Sequence, residues 1–500
     1  MAATAASAPR LERVLAGLRG RRIHVLGPSG TEGSAVINFL ISHGLTGITA
    51  HDLEAPERFE ATVERTHRWL DAEGRAALAT RLRAAPIAWR QGSRYLEDLD
   101  EADVIFVPQS WFRHSQNAAV REAAARGVRL SSMTRLFFEV APGPILGVTG
   151  TNGKFTVATL IASMLEAAGL PIVTSGNDRT HVPALYALDR LSPQTWLVLE
   201  ISNRQLVGLP YSPQVAVVTN IAPHHLDDHG SLEAYIEAKR TIVRHQTARD
   251  VAVLNADDPA VAGMAQGLAS TVHWFSRRGP TARGAYLHGD QLMLAGASPQ
   301  PVMDVADLAV PGAHMVENAL AAVAAAAVAG VEAPVMARVL RAFRGLPYRF
   351  RQVGERHGIV FYEDSLGTNP TAAAAAISSM TRPFYLIAGG LRKAARPEDF
   401  QPMARALAAV PVRTVYLIGS TADILADALA AGGVRARLVQ VHTLERAVAE
   451  AWEAAVPGDA VLLSPGCESF DQFADYRQRG DRFTALMTAL PARAQKRAPV

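Results

Sequence analysis

The chain has 500 residues, of which 49% are hydrophobic and 19% charged. That mix supplies ample apolar core and excludes a disordered, collagen-like or disulfide-stapled chain; the length allows about three domains at roughly 100–200 residues each. Net charge is only +3 with acids and bases interspersed, which leaves no basic stripe for nucleic acid. The single cysteine, Cys467, cannot close an internal disulfide and fits a reducing cytoplasm. No apolar run approaches the roughly 20 residues of a membrane span, and the first residues lack the apolar core of a signal peptide. Lysine is scarce: of 50 basic residues only Lys154, Lys239, Lys393 and Lys496 are lysine. Each of these is a candidate for chemistry that a guanidinium cannot perform.

The predicted elements begin with the strand RRIHVLG (21–27), a glycine turn from Gly27 through Gly30 to Gly33, and the helix SAVINFLISHG. This is the opening of a Rossmann-like unit, although the GxxGxxG spacing is not a dinucleotide fingerprint. Residues 54–100 are charged and helical in period, and VIFVP (104–108) reads as a buried strand. A Pro-Gly-Pro linker at 142–144 precedes ILGVTGTNGKFTVATLIASMLEAAG, a strand, glycine loop and helix. Apolar strands recur at 196–200, 215–220 and 251–255 with helices between them, the pattern of a parallel sheet covered on both faces. Shorter strands fill 271–310, and GAHMVENALAAVAAAAVAG reads as one buried helix. After a break at 345–347, strands at 359–365, 383–390, 414–420 and 460–466 alternate with helices. The expected fold is α/β with three domains: Rossmann-like over 1–142, a central P-loop-type ATPase domain with a mostly parallel sheet over 143–344, and Rossmann-like over 345–500.

The loop Gly150-Thr151-Asn152-Gly153-Lys154 joins a strand to a helix, so its N–H groups and the helix N-terminus can hold phosphate oxygens while Lys154 reaches the outer phosphates. It departs from the strict Walker pattern twice. Gly147 comes one residue too early, and Phe155 stands where a Ser or Thr would ligate Mg²⁺. Glu200 ends an apolar strand, where a charge either faces a site at the sheet's carboxyl edge or simply meets solvent.

GVTGTNGK (147–154) resembles the ATP-loop signature of the Mur ligase family, in its glutamate-adding form. VLEISNRQL (198–206), NIAPHHLDDHGSLEAYIEAKRTI (220–242), NADDP (255–259), GAHMVENALAA (312–322), GLPYRF (345–350), EDSLGTNP (363–370), AGGLRK (388–393) and LLSPGCESFDQFADYRQRGDRF (462–483) follow in the family's order. The resemblance runs from about residue 146 to the end; the first domain matches in outline only. It implies a cytoplasmic, monomeric, ATP- and Mg²⁺-dependent ligase that activates UDP-N-acetylmuramoyl-L-alanine as an acyl phosphate and joins it to glutamate, D-glutamate first, for peptidoglycan. Neither nucleic acid nor membrane insertion is expected.

The resemblance also implies roles. Glu200 and His225 would hold metal, and Lys239, if carbamylated by CO₂, would join them. With Lys154 these form the catalytic set. Gly150, Thr151, Asn152, Gly153, Lys154, Thr156, Asn318, Arg349 and Asp364 would bind ATP. Gly27, Gly30 and Asn177 would touch the UDP-muramoyl substrate, and Thr368, Lys393, Ser469 and Tyr476 the amino acid. Several positions depart from the family pattern. His224 replaces an acid, Met315 an asparagine, Leu366 a lysine and Tyr476 a phenylalanine. The family's Ser-Pro-Gly-Ile segment reads Val107-Pro108-Gln109-Ser110. These changes leave two alternatives open: a ligase for another amino acid such as L-glutamate, and a catalytically impaired nucleotide-binding paralogue.

Overall fold

The structure, a computed structural model, describes residues 8–176, 182–222, 229–391 and 396–491. The chain divides into two compact units, Met1–Met303 with Asn318–Val339, and Asp304–Glu317 with Leu340–Val500.

Among the described residues the first unit carries two sheets. The N-terminal sheet contains β1 (Ile23–Leu26), β2 (Ile48–Asp52), β3 (Ala88–Gln91), β4 (Val104–Phe106) and β5 (Arg129–Ser131). Its order is β3-β2-β1-β4-β5, parallel throughout, which is the Rossmann-like half expected. The turn after β1 needs glycine in two senses. Gly27 has φ +68°, and a Cβ on Gly33 would clash with the Gly27 carbonyl, so only glycine lets the helix Thr31–Ser42 lie against the strand end. The stretch 54–100 does contain helices, Phe59–Thr66 and Ala72–Ala84, but it also supplies β3, which the helical reading missed. AWRQ carries no apolar alternation, because an edge strand shows little of itself to the core.

Two histidines are buried in this sheet. His24 and His51 stack at 4.9 Å, with Nδ1 of the first 2.8 Å from Nε2 of the second. Burial, then the Arg22 charge, pushes His24 down to about 4; burial, then His24 itself, pushes His51 down to about 3. The folded form therefore favours neutral rings, and the pair's contribution is whole above the ordinary value near 6.5. It is lost as pH falls from there toward the folded values. The melting temperature is expected to fall between pH 6.5 and 4 more steeply in the natural chain than in His24→Asn/His51→Asn; equal slopes would refute the assignment.

The central sheet contains β6 (Ile145–Thr149), β7 (Ile172–Ser175), β8 (Trp196–Glu200), β9 (Val215–Val218), β10 (Val251–Asn255), β11 (Thr271–Ser276), β12 (Gly284–His288), β13 (Gln291–Ala295) and β14 (Gln300–Asp304). Its order is β14-β13-β12-β11-β10-β9-β6-β8-β7. The strands from β7 through β12 pair in parallel, and β12 and β13 antiparallel. From β6 the chain first builds β7 and β8 on one side, then crosses to β9 on the other. The carboxyl end of β6 is thus a topological switch point, where open α/β sheets form their binding crevice. The helix Ala313–Val328 packs small side chains inward, and residues 319–326 have no exposed surface.

The second unit holds a six-stranded sheet of β15 (Arg351–Arg356), β16 (Ile359–Glu363), β17 (Phe384–Gly389), β18 (Val412–Ile418), β19 (Arg437–His442) and β20 (Ala460–Leu463). The order is β15-β16-β20-β17-β18-β19, parallel except for the antiparallel edge strand β15. Phe361, Ile387, Ile418, Leu463 and Phe483 lie in its core. Among the described residues no helix is long and apolar enough to cross a membrane.

Candidate active site

The phosphate loop leaves β6 at the switch point. Gly150 has φ +150° and a Cβ there would strike the Thr219 hydroxyl; Gly153 has φ +80° and a Cβ would strike Asn318 Oδ1. Both glycines are required by close approach as much as by backbone angle. The end of β9 secures the loop. Thr151 N donates to the Asn220 carbonyl at 2.8 Å, Asn152 N to Asn220 Oδ1 at 2.9 Å, and the Thr219 hydroxyl to the Asn152 carbonyl at 2.6 Å. The helix Lys154–Ala167 then starts with no side-chain cap, which leaves the positive end of its dipole at the loop.

Three ionisable groups converge on this loop. Lys154 Nζ donates to the carbonyls of Gly150 at 3.2 Å and Thr151 at 3.0 Å. Lys239, on the helix Leu232–Arg244, is buried and donates to the same Gly150 carbonyl at 2.6 Å. Glu200 ends β8, in register with Val148 of β6. Burial pushes the Lys239 amine down to about 6; the Lys154 charge adds to that and Glu200 opposes it. At neutral pH the buried amine is therefore largely uncharged, the state that can add CO₂. Its nitrogen also sits 4.7 Å from the centre of the Tyr235 ring, whose hydroxyl is 3.1 Å from Thr151 Oγ1. Thr156 is buried in the first turn of the loop helix. Asn318 is buried against Gly153.

Among the described residues no three His, Cys, Asp or Glu side chains stand together as a metal-binding group. The donors that fit a hard, oxygen-seeking cation are the Glu200 carboxylate and, once carbamylated, Lys239. His225, Asn177 and Lys393 lie outside the described residues, as do His224 and Lys496.

In the second unit, Asp364 follows β16. Its Oδ1 accepts Phe350 N at 3.1 Å and its Oδ2 the Ser464 hydroxyl at 2.7 Å. Burial pushes this carboxyl up to about 7, with the neighbouring Arg349 and Arg479 charges acting the other way. Asp364 thereby fixes the 348–350 turn that carries Arg349. The loops bearing Thr368 and Ser469 meet where Gly466 N donates to the Gly367 carbonyl at 2.8 Å. Ser469 is buried, and Tyr476 stands edge-on to Tyr348 at 5.7 Å.

Comparison with known proteins identifies the family. The Mur ligase middle domain model matches residues 148–326, and the Mur ligase glutamate ligase domain model matches 348–467. The UDP-N-acetylmuramoylalanine–D-glutamate ligase of Symbiobacterium thermophilum is 36% identical over 464 residues, covering 92% of this chain and 96% of the relative. The enzyme of the same name from Acetivibrio thermocellus is 32% identical over 483 residues, covering 95% and 98%. The chain belongs to the Mur ligase family. Two solved structures share the fold of this Mur ligase. The UDP-N-acetylmuramate-alanine ligase of Thermotoga maritima has a TM-score of 0.54 at 17% identity, covering 94% of this chain and 99% of that one. A MurF ligase from the same organism, in complex with ADP, has a TM-score of 0.51 at 16% identity, covering 77% and 93%. As a Mur ligase the protein is an ATP-dependent enzyme that forms carbon–nitrogen bonds.

Two residues of this Mur ligase escaped the sequence reading. Asp52 ends β2, is buried, and accepts Ser29 N at 2.8 Å on the rim of the Gly27–Gly30 turn. An acid at the end of the second strand, somewhat over 20 residues past a glycine turn, was the available signal. Arg479 is 1% exposed and bonds Ser365 through Nε and Nη2 at 2.9 Å each, and the Cys467 carbonyl through Nη1 at 3.2 Å and Nη2 at 3.1 Å. It clamps the two loops that carry Thr368 and Ser469. In so arginine-rich a chain, residue type gave no hint of it.

Proposed function

We propose that this Mur ligase joins D-glutamate to UDP-N-acetylmuramoyl-L-alanine in peptidoglycan precursor synthesis, working in the cytoplasm as a monomer. The single observation that carries the reading is the convergence of Lys154, Lys239 and Glu200 on the Gly150–Gly153 loop. We assign domain roles as 1–142 for the UDP substrate, 143–344 for ATP and 345–500 for the amino acid.

The substrate carboxylate oxygen attacks the γ-phosphorus, ADP leaves, and an acyl phosphate results. The amino group of glutamate then attacks the acyl carbon, phosphate leaves, and the new amide nitrogen sheds a proton. Charge on phosphate rises and moves through both steps, so fixed cations and N–H donors matter more than any nucleophilic side chain. Gly150, Thr151, Asn152 and Gly153 present backbone groups to the phosphates, and Lys154 supplies a point charge, with Thr156 beside them in the first helical turn. Glu200, His225 and carbamylated Lys239 would hold Mg²⁺, whose chemistry is to neutralise phosphate charge and polarise the phosphoryl group. Asn318 is assigned to adenine, Arg349 to phosphate and Asp364 to ribose. Gly27, Gly30 and Asn177 are assigned to the UDP-muramoyl substrate, and Thr368, Lys393, Ser469 and Tyr476 to glutamate, with Lys393 pairing a carboxylate.

A second reading, a different amino acid, is favoured by Leu366 alone, since it removes a lysine charge from the pocket loop. One assay separates the two. Purified protein with ATP, Mg²⁺ and UDP-N-acetylmuramoyl-L-alanine is expected to release ADP when D-glutamate is added and not when L-glutamate is. Release with L-glutamate only would move the assignment to the second reading, and no release with either would count against both glutamates.

A further inference from the structure

The loop after β4 differs from the family pattern by placing Gln109 where a glycine is expected. Its backbone N–H donates to Glu32 Oε2 at 2.7 Å, in the first turn of the helix that follows the Gly27–Gly33 turn. Its side-chain Oε1 accepts the Ser202 hydroxyl at 2.7 Å. Ser202 lies two residues beyond Glu200 and caps the short helix Asn203–Leu206. The same hydroxyl stands 3.2 Å from Gln205 Oε1; having one proton, it is better matched to Gln109. One end of Gln109 is thus fixed to the ligand turn of the N-terminal sheet and the other to the strand end that carries Glu200. A glycine could keep the first bond but not the second.

Another contact crosses the same seam. The Phe112 ring lies 6.4 Å from that of His229, whose Nε2 is 2.6 Å from Asn203 Nδ2. The His229 ring meets Tyr235 edge-on at 5.5 Å, and Tyr235 reaches Thr151 of the phosphate loop at 3.1 Å. Residues 109–112 therefore touch the β8 end directly and the phosphate loop through two rings.

We infer that Gln109 is a positioning residue that couples uridine-nucleotide binding at the Gly27–Gly33 turn to adenine-nucleotide binding at the Gly150–Gly153 loop through its bond to Ser202. The inference rests on the substrate assignments of the preceding subsection. Ligand in the first turn holds the helix that bears Glu32, Gln109 keeps its register on Ser202, and the β8 end is set for the second ligand. Linkage makes the effect reciprocal, so each nucleotide tightens the other by the same factor. A single side-chain hydrogen bond supports a factor of about five.

The test is calorimetric titration of the full chain with MgADP, with and without saturating UDP. In the natural chain UDP is expected to lower the MgADP Kd about fivefold. In Gln109→Met and in Gln109→Gly, both of which keep the backbone N–H, the two Kd values should coincide while the melting temperature falls by no more than a few degrees, with the glycine variant the lower of the two. Should the methionine variant fail to fold, the glycine variant carries the family's own residue. Coupling that persists in a folded variant overturns the inference, as does its absence from a natural chain that binds both nucleotides and makes product. A natural chain that binds neither nucleotide overturns the functional reading and the inference together.

Discussion

Lys154→Ala is expected to reduce the rate of ADP formation by about three orders of magnitude, the scale on which a cation facing a transferring phosphoryl group acts. The side chain leaves the first turn of its helix and folds back over the carbonyls of Gly150 and Thr151. Its charge is therefore held at the loop before any phosphate arrives, and little reorganisation is needed in the transition state. The loop is tied by Thr219 and Asn220 as well as by Lys154, so the variant should still fold, with a melting temperature lowered by only a few degrees. Lys154→Arg should recover little, because a planar fork cannot replace a compact ammonium between two carbonyls. Turnover within tenfold of the natural rate in Lys154→Ala would remove the phosphate-loop assignment.

Lys239→Arg is expected to lower turnover by at least about a hundredfold, on the ground that a guanidinium stays charged and cannot become a carbamate. Natural enzyme assayed in buffers purged of CO₂ should lose activity and regain it on addition of bicarbonate, whereas Lys239→Arg should respond to neither. Indifference of the natural enzyme to CO₂ would rule out the carbamate. In buffers purged of CO₂, where the Lys239 amine is free, stability gives an independent reading. The folded amine near 6 lies far below the ordinary lysine value of 10.5, so the folded chain binds fewer protons than the unfolded one across that interval. As pH falls from 10.5 to about 6 the folded state loses ground, and below about 6 the contribution is flat. Lys239→Met should flatten the stability profile between pH 6 and 10.

Much of the architecture was legible because buried parallel strands write themselves as short apolar runs; β6, β8, β9 and β16 all do so. β3 does not, since its Arg90 and Gln91 belong to an edge with little core to face. At the site, rarity was the informative signal. Lysine is so sparingly used that Lys154 and Lys239 stood out, and they share one carbonyl although that carbonyl is 89 positions from Lys239. Arg479 performs comparable work in its own loops but is one arginine among 46, as 50 basic residues less four lysines give. Gln109 was visible as a departure from the family pattern, yet its meaning depended on Glu32 and Ser202, far from it in sequence. Pairings of that kind come from tertiary structure, and no local spacing rule encodes them.

The alanine-rich helix Ala313–Val328 has a consequence for how nucleotide preference could be re-engineered. From Ala319 to Ala326 every side chain is fully enclosed, and six of those eight are single methyl groups. Enlarging any of them would overpack the interior. Under the proposed assignment of Asn318 to adenine, a library intended to shift the enzyme to another base therefore has almost no tolerant backdrop behind that residue. Its diversity is best concentrated on Asn318 itself and on the loop residues it faces, because substitutions deeper along that helix would chiefly yield misfolded protein.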